Sequence, residues 1–481
     1  MRPVFSFEEL DLIINARSLA IVGASDKPAK FGSALTASQL AMNFDGPMYL
    51  VNPSGREAFG RPVFPDLSAL PEPPELVYIT VPAHQSLPIL EECSRLGVRG
   101  VVMIAAGFGE AGEEGRVLEQ QALTLARKGG FRIIGPNCFG IYNPRNRLTL
   151  LPGYDFSTVQ GDVAFISQSG GFAAQVARLG CSLGFGFRAV VSYGNGADVD
   201  EVDLLRYFSR DEGTRVIAGY LEGVKNARAF LEALDEAVSR KTVVLWKVGR
   251  CESSQKAVQS HTGSLAGSSE IWEAALRQRG VISVFGVEEV CDVLLALRCL
   301  GLRPGKRLLL AGGGGGLGTY AADLAAEEGL EIPPLASGTA SRLLNVLKGA
   351  GAVVSNPLDI GAPLIHLPVF EAVLKEAAAN PSTDLLVFDL AVNFGLDLAG
   401  EEGMKLVTDL LIRTVRESGR PLAGAFYTRS CDADNLAAEK VLRLVRARLH
   451  ENGIPVFPSM PRTLRAIAAV NQAAGAGPAL G

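Results

Sequence analysis

Short apolar runs, each breaking into glycine, proline, serine or asparagine, recur along the chain with room for about one helix between them. In the first third they fall at 18–24, 47–51, 76–80, 100–104 and 131–134. A second set lies at 161–166, 188–193, 216–221 and 242–246, and a third at 307–310, 385–390 and near 421–427. Runs this short and this continuously apolar predict strands buried on both faces, as in parallel sheets. The intervening segments, among them 172–183, 269–279, 287–300 and 319–328, read as helices. The alternation predicts an α/β chain of three units: a Rossmann-like domain over 1–148, a second domain over 158–300 and a third over 304–472. A connector over 143–160 carries two prolines, and the Ala/Gly/Pro-rich 473–481 is expected to fray.

Composition narrows this picture. The chain has 481 residues, about three domains' worth, with 48 % hydrophobic and 20 % charged residues. Its net charge of −5 gives no electrostatic footprint for nucleic acid. The first ten residues carry Glu8 and Glu9 rather than a basic stretch before an apolar core, so no signal peptide is expected. No uninterrupted apolar stretch is long enough to span a bilayer. Seven scattered cysteines, with no C-x-x-C, read as reduced thiols of a cytoplasmic protein.

Candidate chemistry gathers where strands end. The first strand–turn–helix has Gly23 and Gly32 nine residues apart, so the dinucleotide fingerprint is absent. Asn52-Pro53-Ser54-Gly55-Arg56 stands where a nicotinamide cofactor site would carry a ribose-binding acid. The strand ends nevertheless predict a cleft for an extended, phosphate-bearing ligand, with Lys27 and Arg56 able to meet a phosphate. Ser167-Gln168-Ser169-Gly170-Gly171 offers hydroxyls and backbone amides at a helix N-terminus, a ready anion site. The acids Asp198, Asp200, Glu201 and Asp203 read as partners of a helix dipole rather than metal ligands, and no metal site is expected. Glu222 ends a strand and can orient a histidine. The five glycines 312–316 lack the G-K-[ST] of a phosphate loop and read as close packing or a partner contact. His261, one of four histidines, lies in Ser260-His261-Thr262-Gly263-Ser264-Leu265-Ala266-Gly267. Such a loop can present an imidazole as nucleophile or phosphoryl carrier; an incidental surface histidine is the alternative.

In order along the chain stand Gly23-Ala24-Ser25-Asp26, Val51-Asn52-Pro53, Val81-Pro82, Ala106-Gly107-Phe108-Gly109-Glu110, Gly135-Pro136-Asn137-Cys138, Ser167-Gln168-Ser169-Gly170, Tyr220-Leu221-Glu222-Gly223, Lys247-Val248-Gly249-Arg250 and the His261 octapeptide. Together they resemble the nucleoside-diphosphate-forming acyl-CoA synthetases, relatives of succinyl-CoA synthetase. The resemblance implies a CoA-binding Rossmann-like domain followed by two flavodoxin-like parallel-sheet domains. It implies that coenzyme A is held by Gly23, Ala24, Ser25, Lys27, Asn52, Pro53, Arg56, Val81, Pro82, Ala106, Gly107, Phe108 and Asn137. Phosphate would sit on Ser167, Ser169, Gly170 and Gly171, and His261 would be transiently phosphorylated and steadied by Glu222. ATP/ADP and Mg²⁺ would belong to a separate ATP-grasp β subunit, in an α₂β₂ assembly. Three departures leave the acyl group open: no Asn-x-x-Phe element over 148–154, Tyr193 in an aliphatic place, and the long glycine run. A non-catalytic sensor of CoA thioesters is the alternative function.

Overall fold

A computed structural model describes residues 6–28, 30–55, 57–153, 155–255, 268–347, 354–360, 366–428 and 435–473. Two compact units divide it, one through Val290 and one from Cys291 to Ala473.

The first unit holds two sheets. Strands β1 (Leu19–Val22), β2 (Met48–Val51), β3 (Val63–Phe64), β4 (Leu76–Ile79), β5 (Gly100–Met103) and β6 (Arg132–Ile134) form the first, all parallel, in the order β3-β2-β1-β4-β5-β6. This is the dinucleotide-fold order, with its switch point between β1 and β4. The second sheet comprises β7 (Gly140–Tyr142), β8 (Gln160–Ser167), β9 (Phe187–Ser192), β10 (Val216–Leu221), β11 (Thr242–Lys247) and β12 (Ile282–Ser283). Its order is β12-β11-β10-β8-β9-β7, the flavodoxin arrangement with β7 added antiparallel to β9 at one edge. Although β7 lies in the range read as the first domain, it pairs with β9 of the second sheet.

Strand alternation explains the layers. Leu19, Ile21, Leu76 and Tyr78 point into one core together with Ala164, Ile166, Val191 and Ile217 of the second sheet. Their neighbours Ala20, Val22, Val77 and Ile79 fill a separate core on the other face of the first sheet. Between the sheets pack α1 (Phe7–Ile14) and, further along the chain, the helices Glu201–Arg210 and Ala227–Val238. Each fully buried Leu, Ile or Phe in such a core contributes about 1.5–3 kcal/mol.

The 143–160 connector departs from the expected linker. Leu148, Leu150, Leu151 and Phe156 are buried, while the Asn143 and Asn146 carboxamides donate to the carbonyls of Ile14 and Ala16 at the end of α1. A chain without periodicity can be core when side chains supply its hydrogen bonds.

In the second unit, β13 (Leu308–Gly312), β14 (Leu358–Asp359), β15 (Leu385–Ala391), β16 (Leu422–Tyr427) and β17 (Val456–Phe457) are parallel in the order β14-β13-β15-β16-β17, again flavodoxin-like. The short strands β3, β7, β12, β14 and β17 escape a reading of apolar runs because their pairing comes from their neighbours. No helix among the described residues is long and apolar enough to cross a membrane.

Candidate active site

Three adjacent strands of the second sheet, β11-β10-β8, end side by side and deliver Lys247, Glu222 and the Ser167–Gly171 turn to one edge. The turn is built by its own side chains. Ser167 Oγ accepts from Ser169 N at 3.1 Å and donates to Ser169 O at 2.7 Å. Ser169 caps α2 (Gly170–Ser182) by accepting from Phe172 N at 3.3 Å. Ser167 has thus spent its hydroxyl hydrogen in the turn, whereas Ser169 donates its own to no acceptor among the described residues. The Gly170 and Gly171 amides, at the first positions of α2, have no acceptor among the described residues. An anion is what such a terminus can hold.

Gln168 was not singled out from sequence, yet it links the turn to Glu222. Its Oε1 accepts from the backbone amides of Glu222 and, at 3.1 Å, Gly223. Glu222 itself is 3 % exposed and its Oε1 accepts from Tyr220 Oη at 3.2 Å. Lys247, which the sequence marks only within the motif Lys247-Val248-Gly249-Arg250, is the second residue the fold brings to this edge. Its ammonium donates to the carbonyls of Glu222 (2.8 Å) and Val248 and lies 5.2 Å from the centre of the Trp272 ring. Burial pulls its pKa down to about 8, and Glu222 opposes the fall. Its signal in the sequence was a lysine ending the apolar run Val243-Val244-Leu245-Trp246. Tyr193, buried behind this edge, is held well above the ordinary phenol value by burial and by Glu201, Asp200 and Glu222. His261 lies outside the described residues. Of the others, His84 is exposed, His366 precedes the helix Leu367–Ala378, and His450 is buried and accepts from Val456 N at 3.1 Å.

The expected coenzyme A residues come together at the carboxyl edge of the first sheet. Gly23, at φ +93°, sits where a Cβ would lie 2.6 Å from Thr80 Oγ1 and 2.9 Å from Val81 Cγ1, closing the β1 turn on the β4 turn. Asn52 Nδ2 donates to Ala24 O at 2.9 Å and its Oδ1 accepts from Ser54 N, so this carboxamide shapes the turn. Ser25 Oγ accepts from Lys27 N, and the Lys27 side chain is exposed. Pro53, Pro82 and Ala106 are exposed along the same edge. The Phe108 ring is fully buried in the core of the first sheet. Arg56 lies outside the described residues.

Glu110 fastens this edge to the second sheet. One carboxylate oxygen accepts from Gly107 N (2.5 Å) and Phe108 N (3.2 Å), the other from the Asn195 carboxamide. Burial would raise its pKa, but the bonds from Asn195 and the loop amides outweigh it and hold the group below the usual carboxylate range. Asn195 N in turn donates to Pro136 O at 3.0 Å, and Asn137 Nδ2 reaches Asn195 Oδ1 at 3.4 Å. The acids read as dipole partners do more than that. Asp200 caps the helix Glu201–Arg210, but Asp198 and Asp203 bind the buried Arg132 guanidinium at 2.9 and 3.3 Å. Among the described residues no group of His, Cys, Asp and Glu is placed to hold a metal ion.

In the second unit the glycine run divides. At its start an added Cβ on Gly312 would press on Asp389 Cβ at 3.0 Å, and beyond its end one on Gly318 would meet Pro357 Cβ at 2.9 Å. Gly314 and Gly316 face open space, and Gly314 lines a cavity of ≈ 230 Å³ with Asp359 and Asp389. Asp359 accepts from Gly314 N at 3.1 Å.

A CoA binding domain model matches residues 17–144, and a succinyl-CoA ligase like flavodoxin domain model matches 160–297. The chain is 36 % identical to the α subunit of an ADP-forming acetate–CoA ligase (I) of Pyrococcus furiosus, covering 96 % of this chain and 97 % of that one. It is 34 % identical to an ADP-forming acetate–CoA ligase of Archaeoglobus fulgidus, where it spans 96 % of itself but 63 % of the relative. An acetyl-coenzyme A synthetase of Candidatus Korarchaeum cryptofilum, solved with phosphate and ADP, superposes with a TM-score of 0.79 at 29 % identity, over 96 % of each chain. This chain belongs to the family of ADP-forming acyl-CoA ligases, acid–thiol ligases related to succinyl-CoA ligase.

Proposed function

We propose that the chain is the acyl-transfer α subunit of an ADP-forming acyl-CoA synthetase, catalysing acyl-CoA + phosphate + ADP ⇌ carboxylic acid + CoA + ATP. The observation that carries the mechanism is the joining of the Ser167–Gly171 turn to Glu222 through Gln168. Phosphate held at the Gly170 and Gly171 amides attacks the thioester carbonyl; the carbon–sulfur bond breaks and CoA leaves as an acyl phosphate forms. Amides aimed at the developing charge lower that barrier. His261 then attacks phosphorus, releasing the carboxylate and carrying the phosphoryl group to ADP. Glu222 orients the imidazole and favours its phosphorylated form. Coenzyme A lies along Gly23, Ala24, Ser25, Lys27, Pro53, Pro82 and Ala106, and the first domain ends near residue 148. The nucleotide and Mg²⁺ lie on an ATP-grasp β subunit in an α₂β₂ assembly. Two facts support a separate nucleotide module: the Pyrococcus relative is itself an α subunit, and this chain spans under two thirds of the Archaeoglobus relative.

Labelled phosphate and acetyl-CoA, without ADP, should leave an acid-labile, base-stable phosphoryl group on the protein. His261→Asn should carry none. A His261→Asn protein that is still labelled, or that supports full turnover with the β subunit, overturns the mechanism.

A further inference from the structure

The geometry points to Phe139 as the wall that limits the size of the acyl group. This rests on the proposal that the first sheet's edge takes coenzyme A and the Gly170 turn takes phosphate. Phe139 follows Asn137 by two residues, so it begins at the first edge. Its ring lies directly on Gly170, where an added Cβ would fall 2.4 Å from Phe139 Cγ. The backbone is pinned on both sides: Phe139 N donates to Ser192 Oγ at 3.0 Å and its carbonyl accepts from Leu151 N at 3.1 Å. The ring is half-buried against the shared core of the two sheets.

These contacts leave the ring little freedom to withdraw. A phosphate oxygen attacking from the Gly170 amide must come within about 3 Å of a carbonyl whose sulfur belongs to the ligand of the first edge. The acyl chain then runs past the residue joining the two places. An apolar ring there favours a short, apolar acyl group and repels a branched or aromatic one by contact.

The test is calorimetric binding of free CoA, acetyl-CoA, isobutyryl-CoA and phenylacetyl-CoA to the full chain and to its Phe139→Ala and Phe139→Leu variants. Free CoA reports whether each variant keeps its fold and its CoA site. The readout is the affinity ratio of bulky to acetyl thioester, for which a pocket wall is worth at least about tenfold. Wild type should disfavour phenylacetyl-CoA by that much. Phe139→Ala should bring the ratio to within about threefold, and Phe139→Leu should fall between. A ratio unchanged in Phe139→Ala, in protein that still binds free CoA, overturns the assignment of Phe139 alone. Wild-type protein that binds no CoA overturns the CoA reading of the first domain, and this inference with it.

Discussion

Lys247 carries a proton into a place that resists it. An unfolded lysine keeps its proton up to 10.5, and burial brings the folded value to about 8. Below pH 8 both states are protonated, and the folded state bears the whole cost of the buried charge. As pH rises through 8 the folded state sheds the proton while the unfolded state keeps it, so stability rises until 10.5. Lys247→Met removes this dependence. The wild-type-minus-variant difference in unfolding free energy, from urea titrations, should therefore grow by about 3 kcal/mol between pH 8 and 10.5. A flat difference would mean that the ammonium is not buried in solution. At the same scale, Glu222→Gln should keep the Tyr220 and Gln168 contacts but lose the charge. We expect phosphoryl labelling of His261 to fall at least about tenfold, with CoA affinity held. Equal labelling would remove Glu222 from the mechanism.

Among the elements, the turn after β9 shows how closely the two sheets are fitted. Gly194 has φ +54°, and a Cβ there would strike the carbonyl oxygens of Pro136 and Asn137. Neither backbone group can rotate away. Gly194→Ala should cost at least about 2 kcal/mol in chemical unfolding, through strain at positive φ and the collision together. Gly55, also at positive φ but with nothing within 4 Å, is the control: Gly55→Ala should cost about 1 kcal/mol or less. The order β3-β2-β1-β4-β5-β6 also explains why a chain without the dinucleotide glycines keeps the same crevice. Strand order and crossovers make the crevice, whereas the turn residues decide what it holds.

Over the whole first unit, Arg132 is the electrostatic joint. It leaves β6 of the first sheet and meets Asp198 and Asp203 of the second with both partners buried, and reaches Glu9 of α1 at 3.4 Å. Removing one partner strands buried carboxylates, a loss of about 3–5 kcal/mol. Arg132→Met should lower the unfolding free energy by that amount, in one transition reported alike by Trp246 and Trp272 fluorescence and by far-UV circular dichroism. A loss below about 1 kcal/mol would show that solvent reaches the pair.

The amino-acid pattern alone was enough for the α/β class, the long strands and the order of motifs. Runs such as 216–221 and 243–246 are apolar throughout, because a parallel strand is covered on both faces. Phosphate-type turns are legible for a related reason: serine and glycine before a helix leave amides unpaired whatever surrounds them. Tertiary structure decided the rest. Gln168 and Glu222 are 54 positions apart and meet because β8 and β10 are neighbours. Arg132 and Asp198 are 66 apart, and an acid before a helix looks the same in sequence whether it caps or pairs. The burial of Phe108, the turn bonds of Asn52 and the packed 143–160 connector were not legible in the same way, since burial and side-chain hydrogen bonding belong to neighbours brought by the fold and leave no local period to read.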